Sequence, residues 1–130
     1  MSFSNISSAA QVTSALIAVR EWEKLNFPSS QSILAYEIFL LIAHHTVCEK
    51  PLTLHQLFYS VEYSETGIRK QLSTLIEDGW CCLVGGHQDK RLKHVVAQKK
   101  MIDVLNNYAI HLCDELVEKV TEHRETLLQK

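Results

Sequence analysis

The feature that most constrains this chain is a change of hydrophobic period at Gly79. Before it, Ile68, Leu72, Leu75 and Ile76 recur at i, i+4, i+7 and i+8, the spacing of one helix face. After it come two short runs rich in strand formers, "WCCLV" (80–84) and "LKHVVA" (92–97), separated by Gly85, Gly86 and a polar loop. Such runs read as a β-hairpin, and a glycine where the period changes reads as the end of a helix. Upstream, Thr53 is placed to cap a short helix with Leu54, Leu57, Phe58 and Val61 at i, i+3, i+4 and i+7. "EYS" then turns the chain, and Ser64 can cap the helix that ends at Gly79. A short helix, a tight turn, an amphipathic helix and a two-stranded hairpin make a winged helix-turn-helix.

The flanks are helical. Ala9, Val12, Leu16, Val19 and Trp22 share a helical face, and "NFPSS" breaks it. Ser29 or Ser30 is placed to cap a second helix, from about Gln31 to Thr46, that is apolar on nearly all sides. After the hairpin, a helix from about Gln98 to Leu128 repeats Ile102, Leu105, Ala109, Leu112, Leu116, Val120 and Leu127. It spans roughly 45 Å at 1.5 Å per residue. A 130-residue domain cannot cover both faces of so long a helix, so its stripe is expected to meet a second copy. The expected fold class is mainly α with a small β-hairpin. A winged helix-turn-helix core at 31–97 is flanked by long N- and C-terminal dimerisation helices at 1–27 and 98–130, in a single domain.

Composition narrows the function classes. The chain is 46% hydrophobic and 22% charged, which suits a globular protein rather than a disordered or fibrous one. No apolar run reaches the roughly 18 to 20 residues that span a bilayer, and "MSFSNISSAAQ" has neither a basic nor an apolar signal region. A cytoplasmic protein without membrane association is expected. Cys48, Cys81, Cys82 and Cys113 follow no CxxC or disulfide pattern. The net charge of -2 does not mark a nucleic-acid binder, but between residues 69 and 100 seven basic residues face Glu77, Asp78 and Asp89, net +4.

That basic segment holds the candidate site. Opposite the apolar stripe of the helix that follows Ser64 lie Thr66, Lys70, Ser73 and Thr74, flanked by Arg69. These side chains can donate to phosphates or reach base edges, and Gly67 lets the first turn approach another backbone. An ordinary solvated face has the same composition. In the hairpin, Gly85 and Gly86 supply the positive φ of a tight turn; no phosphate-loop spacing surrounds them. Asp89 is expected to hold the wing's shape, and Lys90 and Arg91 to meet a phosphate or the minor groove. The DNA-binding set is thus Ser64, Thr66, Gly67, Arg69, Lys70, Ser73, Thr74, Lys90 and Arg91.

Other chemistry is thin. His44 and Cys48 are four apart and can supply two zinc ligands, with His45 adjacent, but no second pair follows at finger spacing, so no metal and no cofactor are expected. Cys81 and Cys82 point to opposite faces of a strand, one buried and one more exposed, and are candidates for a redox switch. Trp22, Tyr36, Phe39, Phe58, Tyr59 and Tyr63 are expected to cluster where the second and third helices meet, as core or as a seat for a small aromatic ligand. No nucleophile elbow, HExxH or paired carboxylates point to an enzyme.

The stretch from "PLTLHQLF" through "SETGIRKQLSTLIEDGW" to "VGGHQDKRLKHVV" resembles the winged-helix core of the MarR-type transcriptional regulators, over about 51–97. It has a leucine-rich helix, a serine-started recognition helix ending in Leu, polar residues and Gly, and a wing with an Asp-x-Arg signature at Asp89–Arg91. The resemblance implies a homodimer that places one recognition helix per subunit in a major groove of double-stranded DNA and each wing at the neighbouring minor groove, and thus a transcriptional regulator, a repressor of nearby genes. It places Thr66, Gly67, Lys70 and Thr74 at contact positions and makes Arg91 the wing arginine. It also implies a small aromatic effector bound between the dimerisation helices and the DNA-binding lobe, or oxidation of a cysteine, as the means of release. The sequence departs from the pattern at Val96-Ala97, where the family has a Leu-Thr pair, and with Glu65 in the first turn of a cation-poor recognition helix. These departures and the overall acidity favour a rival reading: a winged-helix protein-interaction module that has lost DNA binding.

Overall fold

A computed structural model of the chain describes residues 3–28, 32–86, 91–117 and 128. The elements run α1 (Phe3–Asn26), α2 (Ile33–Val47), α3 (Leu54–Ser60), α4 (Glu65–Glu77), β1 (Cys81–Gly85), β2 (Lys93–Ala97) and α5 (Lys99–Leu112), which continues into a π-helical turn at Cys113–Val117. This is the mainly α fold with one antiparallel hairpin that the periodicity predicts. The chain divides into two compact units, one of residues 28–103 and one of 1–27 with 104–130. The boundary falls within α5.

The unit of 28–103 is the winged helix, and local signals set each of its elements. Ser32, rather than Ser29 or Ser30, caps α2: its Oγ accepts from Ala35 N at 3.1 Å; Ser29 and Ser30 lie outside the described residues. Thr53 and Gln56 close a reciprocal capping box on α3, with bonds of 3.1 and 2.9 Å. Ser64 Oγ accepts from Gly67 N at 3.1 Å to cap α4. Gly79, at φ 80°, ends α4 in a Schellman motif, with Gly79 N on Ile76 O and Trp80 N on Leu75 O. The core is α2, through Ile38, Phe39 and Ile42, packed against α4 and β2 with Leu57, Ile68, Leu72, Leu75, Val95 and Met101.

The hairpin pairs Cys81 with Ala97 through to Gly85 with Lys93. Three further bonds tie it in. Val95 N donates to Leu52 O (2.8 Å), alongside a Thr53–His94 bridge. Ala97 N donates to Thr46 Oγ1 (3.0 Å). Gln98 N donates to Trp80 O (2.8 Å). Lys100 fastens the other end of α4: its ammonium donates to Asp78 O at 2.8 Å and sits 4.2 Å from the Trp80 ring centroid, a cation at a helix C-terminus.

In the other unit α1 meets the π-helical turn, and an aromatic group ties it to the last turns of α5. Trp22 stacks on Tyr108 and His111, at 5.3 and 5.6 Å between centroids, and Phe27 lies edge-on to Trp22 and Tyr108. Tyr108 Oη donates to Glu23 Oε2 at 2.5 Å, and Arg20 pairs with the other oxygen at 3.2 Å. Glu23 is thereby a buried carboxylate with both oxygens satisfied.

One expectation about packing fails: the aromatic residues do not form one cluster. Trp22 belongs to the terminal unit, Phe39 packs edge-on to Trp80, and Tyr59 is 80% exposed beside His55. Among the described residues of α1 the buried positions are Ala15, Val19 and Glu23, while Val12 and Leu16 of the expected stripe are exposed in the single chain. Periodicity finds an apolar face but does not say what will cover it. Beyond Val117 the expected long helix, with Val120 and Leu127, lies outside the described residues.

Candidate nucleic-acid interface

α4 is amphipathic. With Ile68, Leu72 and Leu75 buried against the core, Thr66, Arg69, Lys70 and Ser73 stand exposed and Thr74 is half-buried. The Lys70 ammonium has no ion-pair partner among the described residues, so it is a cation available to an outside anion. Thr74 Oγ1 donates back to Lys70 O at 3.2 Å, a bond that leaves its lone pairs but not its proton for a ligand. Ser64 likewise spends a lone pair on its cap and keeps its proton.

Two residues of the set are engaged otherwise than expected. Arg69 is neutralised: Nε and Nη2 both donate to Glu65 Oε1, at 3.1 and 2.8 Å, and the guanidinium lies 4.7 Å from the Phe58 ring centroid. Gly67 serves the protein's own packing. A Cβ there would stand 3.2 Å from Ser64 Oγ and 3.7 Å from Leu34 Cδ2, so its smallness accommodates the cap and the contact with α2.

The glycines expected to turn the wing instead lie in its arms. Gly85 is the last residue of β1, opposite Lys93, and Gly86 N donates to Leu92 O at 2.8 Å. The strand pairing thus includes Gly85, and the Gly86 bond extends it. Asp89 and Lys90 lie outside the described residues. Arg91 and Lys93 are exposed at the wing's base. They line, with Arg69, His55, Thr53 and Phe58, an open cavity of ≈ 200 Å³ between the start of α3, α4 and the wing. Sequence reasoning missed this gathering of Lys93 and His55 beside Arg91. Its signal was faint: the Leu52–Thr53 pairing with β2 that draws the start of α3 to the wing comes from a stretch that reads as a plain break.

The remaining candidates separate cleanly. Cys81 is buried and Cys82 half-buried, as alternation on a strand requires. Burial, and secondarily the neighbouring Cys82, pushes the Cys81 thiol up to about 12, so it carries almost no thiolate near neutral pH. Cys48 and Cys113 are exposed. Among the described residues no three His, Cys, Asp or Glu side chains gather as a metal site, and no described helix is long and apolar enough to cross a membrane.

No protein-family model matches the sequence, and no curated protein is significantly similar to it. Solved structures share its fold. RV1404 from Mycobacterium tuberculosis aligns at a TM-score of 0.68 with 13% identity, covering 98% of this chain and 88% of its own. The MepR–DNA complex from S. aureus aligns at 0.61 with 12% identity, covering 96% and 94%. A MarR variant from E. coli, solved with operator DNA, aligns at 0.56 with 14% identity, covering 96% and 88%. The hairpin after a capped α4, the core around α2 and the flanking helices together give this chain the winged helix-turn-helix fold of the MarR-type transcriptional regulators.

Proposed function

We propose that this protein is a dimeric, sequence-specific DNA-binding transcriptional regulator, a repressor, and not an enzyme. α4 enters the major groove, the wing reaches the neighbouring minor groove, and the terminal helices join two copies in the cytoplasm. The observation that carries the reading is the outer face of α4, where Thr66, Ser73 and a Lys70 with no ion-pair partner among the described residues stand exposed, while Arg69 of the same helix lines one cavity with Arg91 and Lys93 of the wing. Short polar side chains and cations on one helix face suit phosphates and base edges. That solved relatives of the fold include DNA complexes supports it.

Within this reading Lys70, Arg91 and Lys93 supply phosphate charge, and Thr66 and Ser73 are the base-facing groups. Ser64, Gly67, Arg69, Thr74 and Lys90 complete the contact surface, and Gly85, Gly86 and Asp89 shape the wing. Release by a small aromatic effector remains part of the proposal; Cys82 rather than Cys81 is the thiol suited to an oxidative trigger.

A polarisation titration against duplexes selected from a randomised pool tests it. Affinity falls steeply with salt, and Lys70→Ala reduces the slope of log Kd against log salt by about 1. Absence of salt-dependent binding at micromolar protein refutes the reading.

One observation favours a rival. Glu65 cancels the charge of Arg69, which leaves α4 poorer in available cations than a helix facing phosphates needs. A winged-helix module that binds a protein would tolerate that. Glu65→Gln separates the two. It frees Arg69 and removes a carboxylate from a phosphate-facing helix, so DNA affinity rises several-fold if α4 meets DNA and stays negligible if it does not.

A further inference from the structure

We propose that the C-terminal end of α2 binds a thiophilic divalent cation of the zinc class, chelated by Cys48 Sγ and an imidazole nitrogen of His44. The two side chains are four residues apart on one helix face, and Cys48 Sγ lies 3.9 Å from both ring nitrogens of His44. A tetrahedral zinc ion with sulfur at about 2.3 Å and nitrogen at about 2.0 Å holds those two atoms roughly 3.6 Å apart. The separation is therefore within a few tenths of an ångström of a chelating one; because Sγ is equidistant from both nitrogens, neither lone pair faces it, and the exposed imidazole must rotate to present one of them. His111 and Cys113, two apart, do not share a face in this way.

The backbone beneath the pair is fixed. Cys48 N donates to His44 O at 3.1 Å, and the chain then reverses through Glu49 N on Thr46 O and Lys50 N on His45 O, both at 3.0 Å. The last carbonyls of α2 place partial negative charge at this end, which favours a cation. His44 and Cys48 are both exposed, so an ion reaches them without any opening of the core. His45 stands edge-on to His44, with centroids 5.5 Å apart. No third ligand is already in position among the described residues. Water fills the remaining coordination positions, and the site is a two-ligand chelate rather than a closed structural centre. Binding exchanges a proton for the metal. The Cys48 S–H bond breaks, a thiolate–metal bond forms, and the proton goes to solvent, with no change of oxidation state, so affinity rises with pH.

The test is a titration of the reduced, full-length protein with Co²⁺, read by thiolate-to-cobalt charge-transfer absorption and followed by displacement with Zn²⁺. The expected result is one chelated ion per chain, displaced by zinc, with affinity at least tenfold weaker in Cys48→Ser and in His44→Ala. Cys82→Ser and Cys113→Ser behave as wild type. Because both ligands are exposed, the variants keep the fold, which far-ultraviolet circular dichroism checks. No charge-transfer band in the wild type, a band that survives Cys48→Ser, or one unaffected by His44→Ala overturns the proposal.

Discussion

The two units of this molecule treat their apolar residues differently. In the winged unit Ile38, Phe39, Ile42, Leu57, Ile68, Val95 and Met101 are all 1% exposed or less, and a side-chain cap starts each of α2, α3 and α4. Among its described residues, the terminal unit buries Ala15, Val19 and the paired carboxylate of Glu23, and leaves Leu16, Ile17 and Ile110 at 51, 62 and 62% exposed. Leucine and isoleucine side chains each gain roughly 1.5–3 kcal/mol when fully buried. The winged unit has collected that gain at its centre within one chain, although Ile33 and Val47 at the two ends of α2 stay 71 and 59% exposed. Among its described residues the terminal unit packs its rings only around Trp22, Phe27, Tyr108 and His111. The difference teaches where a second copy would matter: the winged unit has its own core without one, and in the proposed dimer the terminal unit gains the rest of its core.

Breaking that comparison at its weak side gives the largest effect. The double variant Leu16→Glu with Ile17→Glu is expected to be monomeric by light scattering at tens of micromolar, where the proposal makes the wild type a dimer. Its DNA affinity drops by at least about a hundredfold, because two half-sites are no longer engaged together. A dimeric double variant would move the interface elsewhere, and a monomeric wild type would end the dimer proposal.

The strong side is tested by reactivity and by packing. With its thiol pushed up to about 12 from an ordinary 9.0, Cys81 holds about a thousandfold less thiolate than an unperturbed cysteine at neutral pH. Mass spectrometry after brief iodoacetamide treatment should find Cys48 and Cys113 modified and Cys81 untouched until urea unfolds the protein. Rapid native labelling of Cys81 would contradict its burial. The folded-state pKa is raised, so the unfolded chain loses this proton first, and the contribution of Cys81 to stability is present below pH 9 and is lost as pH rises from there towards 12. Phe39→Ala removes a ring packed edge-on to Trp80 at the centre of the unit. It should cost about 3–5 kcal/mol in urea unfolding, whereas Leu16→Ala measured on the monomeric background should cost well under 1.

This contrast also explains what was legible in the sequence. The winged unit is specified by local signals. Thr53, Ser64 and Gly79 act within four residues of where they stand, and so their roles were readable. The faces of α4 were readable for the same reason, since the buried stripe fixes its opposite. The uses of individual exposed residues were not. Arg69 looks like a free cation until Glu65 and Phe58 are seen against it, and Gly85 looks like a turn until the register carries pairing past it. The terminal unit depends on contacts between distant segments, such as Tyr108 with Glu23, and no spacing in the sequence announces them.

Smaller effects sharpen the account of the caps. Ser64→Ala should destabilise the winged unit by about 1 kcal/mol, and Ser64→Gly by only a few tenths. Equal losses would mean that the hydroxyl bond to Gly67 N contributes little. The smallest expected change has the opposite sign. α2 and α4 end in the same Schellman geometry, but where α4 has Gly79 at φ 80°, α2 has Glu49 at φ 62°. A side chain in this left-handed region costs roughly 1–2 kcal/mol, and replacing it with glycine recovers that strain while loosening the unfolded chain by roughly 0.4–1 kcal/mol. Glu49→Gly is therefore expected to stabilise the protein by about 0.5–1 kcal/mol, a shift of a few degrees in Tm. Glu49→Ala keeps the strain and should leave Tm within a degree of wild type. If both variants move Tm equally, the carboxylate at the negative end of α2 is responsible rather than the backbone. In that case the residue next to Cys48 acts on the charge of the helix end, where the proposed cation binds.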